Sequence, residues 1–188
     1  MSHNLISECV RVLEENSSAV LAFPTPQWVD ETGNIIHSKS IGYYDSRGFD
    51  ITNRAILSIW GTAVPVLSLV RYKQLKYVSF DIEVIGHDYI VLLELALLGS
   101  FAHAQNAYYQ RIYKYSDEQF KDRIQRYKNR IFLGMNFFDR NFPFITLPYH
   151  MMGSVLKSRI PMNKKILILF ALMVNAPLKF ITKYNKSL

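Results

Sequence analysis

Apolar residues near the start of the chain recur at the spacing of a helix, and short apolar runs follow. The first pattern predicts a helix whose apolar face carries Leu5, Cys9, Val12 and Leu13. The next run, AVLAFPTP, predicts a short buried strand that ends at its prolines, because proline cannot donate a hydrogen bond to a sheet. WVDETGNII then predicts a hairpin with its turn at residues 30–33.

The middle of the chain alternates between helical and strand-like patterns. Asp50 is a favoured cap for a helix through ITNRAILSIWG, and YKQLKYV predicts a short helix after the strand-like run AVPVLSLVR. A helix from Tyr89 to Leu98 is apolar on nearly all sides and ends at Gly99, so we expect it to be buried. FAHAQNAYYQRIYKYS follows with the pattern of one or two strands.

From Asp117 onward the pattern is helical. One basic helix carries an apolar stripe at helical spacing, formed by Phe120, Ile124, Tyr127 and Ile131. Two more helical stretches follow and are divided near Pro161. The predicted fold class is therefore α/β in the mixed α+β sense. Residues 1–116 form a sheet with flanking helices, and residues 117–188 form a helical C-terminal extension.

Composition and cysteine usage indicate a globular intracellular chain. The 188 residues are 49% hydrophobic and 20% charged, which supports a packed core. The single cysteine excludes an internal disulfide, and the start of the chain has the pattern of a polar amphipathic helix rather than a secretory signal. The longest wholly apolar run, ILILFALMV, is far shorter than the about 20 residues that a spanning helix needs. We therefore expect a cytoplasmic protein.

The formal net charge is +7, and much of the basic excess lies late, in YKNR, LKSR, NKK and KFITKYNK. Such a bias favours anionic partners, namely nucleic acid, an anionic membrane surface or a phosphate-bearing substrate; the alternative is a basic surface with no specific partner. The segment KKILILFALMV joins a basic flank to a short apolar run. It predicts either a helix that lies on an anionic membrane or a helix that packs on the core.

Common catalytic and binding motifs are absent from the sequence. It contains no GxxxxGK loop, GxGxxG, HExxH, CxxC or GxSxG. The five histidines have no ligand partner at useful spacing, so we predict no metal site. The positive charge and the 14% aromatic content permit a nucleic-acid binder, but no RNP, KH or zinc-finger pattern supports one.

Two acidic residues stand in or beside the apolar segment IGHDYIVLLELALLGSF. Asp88 opens the predicted helix, where it could serve as the N-cap or as a catalytic base on a rigid mount, and the two roles are compatible. Glu94 lies inside the helix, where an unpaired charge is costly. We predict that Glu94 is buried with an arginine such as Arg71 or Arg111, in preference to the alternative of a catalytic role.

Three segments of this chain, taken in order, carry a family resemblance. They are CVRVLEENSSAVLAFPTPQWVDETGNII, VLSLVRYKQLKYV and IGHDYIVLLELALLGSFAHAQNAYYQRIY. Together they resemble the second half of bacterial family 2 glycosyltransferases, over Leu5 to about Ser116. The block around Asp88 is the most specific part, since its glycines and the string LLELALLG agree in spacing. The resemblance implies an incomplete GT-A sheet and sugar transfer from a nucleotide-sugar to a polysaccharide or lipid-linked acceptor.

The resemblance also implies roles for individual residues. Asp88 stands where the family places its general base, which takes the proton from an acceptor hydroxyl while the anomeric carbon is inverted. Arg71 and Arg111 match family arginines, for which we expect structural or acceptor-binding roles.

Three aromatic residues are further candidates on the acceptor side. Tyr43, Tyr44 and Trp60 would present flat rings to a sugar acceptor. A core position is the alternative for all three, and it is favoured more for Trp60 than for the tyrosines.

The family's first half binds the nucleotide and ends in a DxD motif that holds a divalent ion, Mg or Mn. This chain begins about where that motif would end, and Tyr113 stands where the family often has histidine. We therefore expect no cofactor in this chain. The protein would be half of a split enzyme, a truncated product, or a non-catalytic binding or scaffold remnant.

The partners implied are a sugar or lipid-linked saccharide acceptor and a separate donor-binding half. Peripheral contact with the inner face of the membrane would fit the basic tail, and nucleic acid is not favoured.

Overall fold

A computed structural model of the chain describes residues 1–38, 45–61, 67–81, 84–112 and 137–185, together with the isolated positions 122 and 125. These residues form a mixed α/β fold. Its helices are α1 (Leu5–Glu15), α2 (Ile51–Trp60), α3 (Tyr72–Leu75), α4 (His87–Leu98), α5 (Phe137–Asn141), α6 (Pro143–Lys157) and α7 (Met162–Asn185). Its strands are β1 (Ala19–Val29), β2 (Ile35–Ser38), β3 (Leu69–Val70) and β4 (Ser100–Ile112).

The sheet is mixed and is built around β1. Strand β4 pairs with β1 in parallel from end to end. The opposite edge of β1 is shared, with β3 antiparallel to its first half and β2 antiparallel to its last residues. The described strands thus include one parallel pair, so the first part of the chain is neither all helical nor a complete parallel nucleotide-binding sheet.

The prediction that the first strand ends at its prolines is wrong, because β1 continues through Pro24 and Pro26 to Val29. The reason lies in the shared edge. The carbonyl of Val20 accepts a hydrogen bond from the backbone N–H of Arg71, so Val20 faces the edge shared by β3 and β2. Backbone N–H groups alternate between the two edges of a strand, so the nitrogens of Pro24 and Pro26 point to this same edge. There, no described residue of β2 or β3 pairs with either proline.

Two local predictions are confirmed. Asp30 closes the hairpin between β1 and β2, since its Oδ1 accepts from the backbone N–H groups of Thr32 and Asn34, and Gly33 takes a φ of 90°. Asp50 caps α2 by accepting from the backbone N–H of Asn53 at 2.8 Å.

Helix α4 lies between two layers, which explains why it is apolar on all sides. Leu92 and Leu95 pack with Leu21 and Phe23 of the sheet. Ile90, Leu93 and Leu97, from the rest of the helix surface, pack with a second cluster formed by α2, α6 and α7. The predicted burial of this helix is confirmed, with every residue from Ile90 to Leu97 buried.

Helix α1 covers the other face of the sheet. Cys9, Val12 and Leu13 are buried as predicted and contact small residues of the strands, among them Ala102 and Ala104 of β4. Because side chains alternate along a strand, the neighbouring Phe101 points to the α4 side instead. The order of layers is therefore α1, sheet, α4, and then the helices α2, α6 and α7.

The tail contains the two helical stretches that were predicted, α6 and α7, and Pro161 lies between them. The apolar stripe predicted between Phe120 and Ile131 falls outside the described residues. Helix α7 packs against α2 and α6, and α6 packs against α4. Within the described part of the chain, no helix is both long enough and apolar enough to cross a membrane.

Replacing Gly99 by alanine tests the close contact between the end of α4 and β1. An added Cβ would lie 2.3 Å from Val20 Cγ1 and 2.6 Å from the carbonyl oxygen of Ser18. We expect Gly99→Ala to lower the free energy of unfolding by about 1–3 kcal/mol through overpacking.

The matched control is Gly153→Ala in α6, where an added Cβ meets nothing within 4 Å. Because alanine is the better helix former, this variant should be neutral or more stable by about 0.5–1 kcal/mol. Urea denaturation measures both variants, and equal stabilities would contradict the packing described here.

Candidate functional site

Asp88 lies in the first turn of α4 but does not cap the helix, so the prediction of an Asp88 cap is wrong. Gly86 is the N-cap residue, with a φ of 91°, and its left-handed conformation starts the helix two residues earlier than expected. Asp88 Oδ1 accepts instead from the adjacent backbone N–H of Tyr89 at 3.2 Å. The carboxylate is therefore held close to the positive end of a rigid, buried helix.

The environment of Asp88 shifts its protonation. Burial raises the pKa of the Asp88 carboxyl above its ordinary value, and the nearby backbone N–H groups and the Lys179 ammonium offset only part of that effect. The side chain is partly exposed, so solvent or a ligand can reach it. A carboxylate with a raised pKa accepts a proton more readily than a solvated aspartate does, which is what general-base chemistry requires.

The cation beside Asp88 comes from α7. Lys179 is only 6% exposed, and its Nζ lies 3.8 Å from the centre of the Tyr89 ring. The same Nζ donates hydrogen bonds to the carbonyl of Gly61, at 3.0 Å, and to the carbonyl of Ile59. These carbonyls lie at the C-terminal end of α2, where a positive charge is favoured. Lys179 thus joins the end of α2, the start of α4 and α7.

Trp60, predicted on the acceptor side, belongs to this same neighbourhood. It is the last residue of α2, and its Nε1 donates to Asn175 Oδ1 of α7 at 2.7 Å. The side chain is 42% exposed, so the alternative of a core position is wrong. The residue that follows it is Gly61, whose carbonyl binds Lys179, and the same Lys179 Nζ lies over the ring of Tyr89, the residue after Asp88.

The two predicted arginines lie elsewhere. The Arg71 guanidinium donates to the carbonyls of Ala19, at 2.7 Å, and of Leu13, which ties the start of α3 to α1 and β1. The sequence left open whether Arg71 has a structural or an acceptor-binding role, and this geometry favours the structural role. Arg111 is exposed on β4 and stacks over Trp28, 5.1 Å from the ring centre. The predicted Tyr43 and Tyr44 lie outside the described residues.

Glu94 is buried, as predicted, but its partner is not an arginine. Its carboxylate accepts from the backbone N–H of Ser79 at 2.7 Å, from Ser79 Oγ at 3.0 Å and from Ser154 Oγ at 2.6 Å. Three short hydrogen bonds compensate the burial of the charge, and they link α4 to α6.

A cavity of about 380 Å³ opens beside Glu94 and also borders Lys157 and Arg159. Asp88 is not among the described residues that line it.

The family resemblance implies a divalent metal ion, and the described residues offer no evident set of ligands for one. Across residues 1–38, 45–61, 67–81, 84–112 and 137–185, no group of three His, Cys, Asp or Glu side chains is placed to hold a metal ion.

Lys179 is the site residue that sequence reasoning missed. Its signal was present, because Ile168, Leu172, Ala176 and Lys179 share one helical stripe. All four are buried. A lysine on the stripe that faces the core of an apolar helix needs a specific partner, so the spacing alone indicated a functional or structural contact.

No protein-family model, curated protein or solved structure matches the chain. The case for a function therefore depends on the geometry around Asp88 and on the resemblance carried by the residues of the sequence.

Replacing Lys179 by methionine tests the link between α7 and Asp88. The change keeps the length of the side chain but removes the cation, so we expect the pKa of Asp88 to rise further. It also leaves the carbonyls of Ile59 and Gly61 without this donor, which should cost about 1–3 kcal/mol of stability.

Carbon-13 NMR titration of the aspartate carboxyls measures the pKa, and urea denaturation measures the stability. Lys165→Met is the matched control, because Lys165 lies on the same helix and donates to the carbonyl of Leu156 at an exposed position. An Asp88 pKa that stays the same in Lys179→Met would show that the lysine does not act on the carboxylate.

Proposed function

We propose that the chain is the acceptor-side part of an inverting glycosyltransferase of the GT-A type, similar to family 2, with Asp88 as its general base. The observation that carries the proposal is the setting of Asp88, a carboxylate of raised pKa at the start of a buried helix. The mixed sheet that supports this helix is compatible with an incomplete GT-A sheet. The resemblance in sequence around IGHDYIVLLELALLG supplies the specific chemistry.

In the proposed reaction, an acceptor hydroxyl lies within hydrogen-bond distance of the Asp88 carboxylate. Its oxygen attacks the anomeric carbon of the donor sugar while its proton passes to Asp88. The bond from that carbon to the nucleoside diphosphate breaks as the new glycosidic bond forms, so the anomeric configuration is inverted. The leaving diphosphate takes both electrons of the broken bond, and its charge needs stabilisation that we assign to a separate donor-binding half.

The acceptor we propose is a polysaccharide or a lipid-linked saccharide, presented at an anionic membrane surface. Trp60 supports this choice, because the residue is 42% exposed and its ring is held by the hydrogen bond to Asn175. A fixed, partly exposed indole offers an apolar face to a sugar ring. The net charge of +7 supports a negatively charged setting for the acceptor.

The direct test of the proposal is Asp88→Asn, assayed together with the donor-binding half. The chain would be combined with the product of the reading frame upstream of its gene, with nucleotide-sugars and membrane-derived acceptors. We expect release of nucleoside diphosphate, and loss of the base should lower that rate about 10²- to 10⁴-fold. Asp81→Asn, at an exposed position before the same helix, should keep the full rate.

An Asp88→Asn protein that transfers sugar at the parent rate would remove the general base from the proposal. Saccharide binding without any transfer by the parent would instead identify the chain as a non-catalytic remnant of the fold.

The stability of Asp88→Asn separates a catalytic carboxylate from a structural one. Because the folded state raises the pKa of Asp88, it holds the proton more tightly than the unfolded chain does. Stability contributed by this group therefore falls as the pH rises from the ordinary carboxyl range through the raised pKa. At neutral pH the ionised carboxylate costs stability, so Asp88→Asn should be at least as stable as the parent.

We expect that advantage to shrink as the pH is lowered through the pKa of folded Asp88. Urea midpoints at neutral and acidic pH measure the difference. A variant that is clearly less stable at neutral pH would show that the charge of Asp88 holds the fold together.

A further inference from the structure

Helix α7 presents a continuous apolar surface to solvent. Seven large apolar side chains along it are each at least 44% exposed. They are Met162, Ile166, Leu167, Phe170, Met173, Val174 and Leu178, and we call them the outer face of α7. Scattered apolar residues on a surface are ordinary, but seven on one helix form a contiguous patch, and such patches mark interaction sites.

The opposite side of α7 is already occupied. Ile168 and Leu172 are fully buried in the cluster shared with α2, α4 and α6, and Lys179 reaches the carbonyls at the end of α2. The helix is therefore fixed in place by its inner side. Its outer face is a surface of the folded chain rather than a segment that still has to find its place in the core.

The charge of the surrounding sequence indicates what kind of partner the outer face of α7 binds. No Asp or Glu occurs after Asp139, whereas Lys or Arg occurs at positions 140, 157, 159, 164, 165, 179, 183 and 186. Lys164 and Lys165 lie in the first turn of α7, beside the first residues of the outer face. Basic residues that flank an apolar helix face are the pattern of a helix that lies in the plane of an anionic membrane.

We propose that the outer face of α7 binds an anionic lipid surface, with the helix axis parallel to the membrane plane. A second copy of this chain is a poorer occupant, because a symmetric contact would bring two acid-free, basic segments together.

This orientation places the candidate site near the membrane, and in this respect the inference rests on the proposed function. Lys179 lies on the inner side of α7, with its Nζ 3.8 Å from the ring centre of Tyr89, the residue after Asp88. The outer face lies one helix diameter away, about 10 Å. Trp60 borders α7 through Asn175, and tryptophan is favoured at the membrane interface. The saccharide acceptor at Asp88 would thus be one whose lipid remains in the bilayer.

Flotation of the full chain with vesicles tests the docking surface, and it needs neither donor nor acceptor. Vesicles of phosphatidylcholine alone would be compared with vesicles of equal parts phosphatidylcholine and phosphatidylglycerol. We expect binding to the anionic vesicles at low salt and its loss near 1 M salt, where the screening length falls to about 3 Å. The double variant Phe170→Ser, Met173→Ser should bind at least about tenfold more weakly, because two apolar side chains no longer enter the interface.

The matched control is Ile6→Ser, Ile36→Ser, which removes two equally exposed apolar side chains from α1 and β2. It should float like the parent, and circular dichroism should show that both variants are folded. Equal flotation of the two double variants, or no binding of the parent at low salt, would overturn the proposal. So would a dimer in light scattering that only Phe170→Ser, Met173→Ser abolishes, without flotation of the parent.

Failure of the docking surface and failure of the proposed chemistry give different results. If the parent floats but shows no Asp88-dependent transfer, the membrane-binding surface is supported and the proposed glycosyltransferase activity is rejected. If the parent transfers sugar to a soluble acceptor but does not float, the proposed chemistry is supported and the membrane-binding surface is rejected.

Discussion

Burial of α4 on every side is the constraint on which the rest of the structure depends. The helix has the sheet against one side and α2, α6 and α7 against the other, so it belongs to both apolar clusters. Because a helix that is apolar all round cannot remain in contact with water, these layers must form around it. Because α4 is held on all sides, the position of its N-terminal turn is fixed, and Asp88 lies in that turn.

The functional geometry follows from the way α4 is enclosed. Its start is covered by the end of α2 and by α7. Lys179 binds the carbonyls of α2, and its charge offsets part of the cost of burying the Asp88 carboxylate. The result is a partly buried carboxylate of raised pKa, with the buried Lys179 ammonium over the ring of the next residue, Tyr89. Perturbed pKa values are more common at reaction sites than on ordinary surfaces.

Local patterns of the sequence predicted the elements well, because their causes are local. The cap at Asp50, the turn at Asp30, the apolar stripe of α1 and the wholly apolar surface of α4 each depend on residues within a few positions of one another. The same holds for the division of the tail near Pro161.

Predictions failed where the cause lay far along the chain. The continuation of β1 through Pro24 depends on where β2 and β3 pair with it, and the sequence of β1 does not record that. The partners of Glu94 are serines 15 and 60 residues away, so charge complementarity to an arginine was a poor guide. One failure had a local cause: Asp88 was predicted as the cap, two positions after the actual cap, because Gly86 and Asp88 are both good helix-start residues and the left-handed backbone at Gly86 decided between them.

The central claim is that an acceptor hydroxyl meets the Asp88 carboxylate, and the most direct measurement is to observe that carboxyl while a saccharide binds. Carbon-13 aspartate-labelled protein would be titrated with a short-chain polyprenyl diphosphate sugar in detergent. The account predicts that the Asp88 carboxyl resonance shifts in step with binding, while that of the exposed Asp81 does not. Saccharide binding that perturbs other resonances and leaves Asp88 unchanged would contradict it.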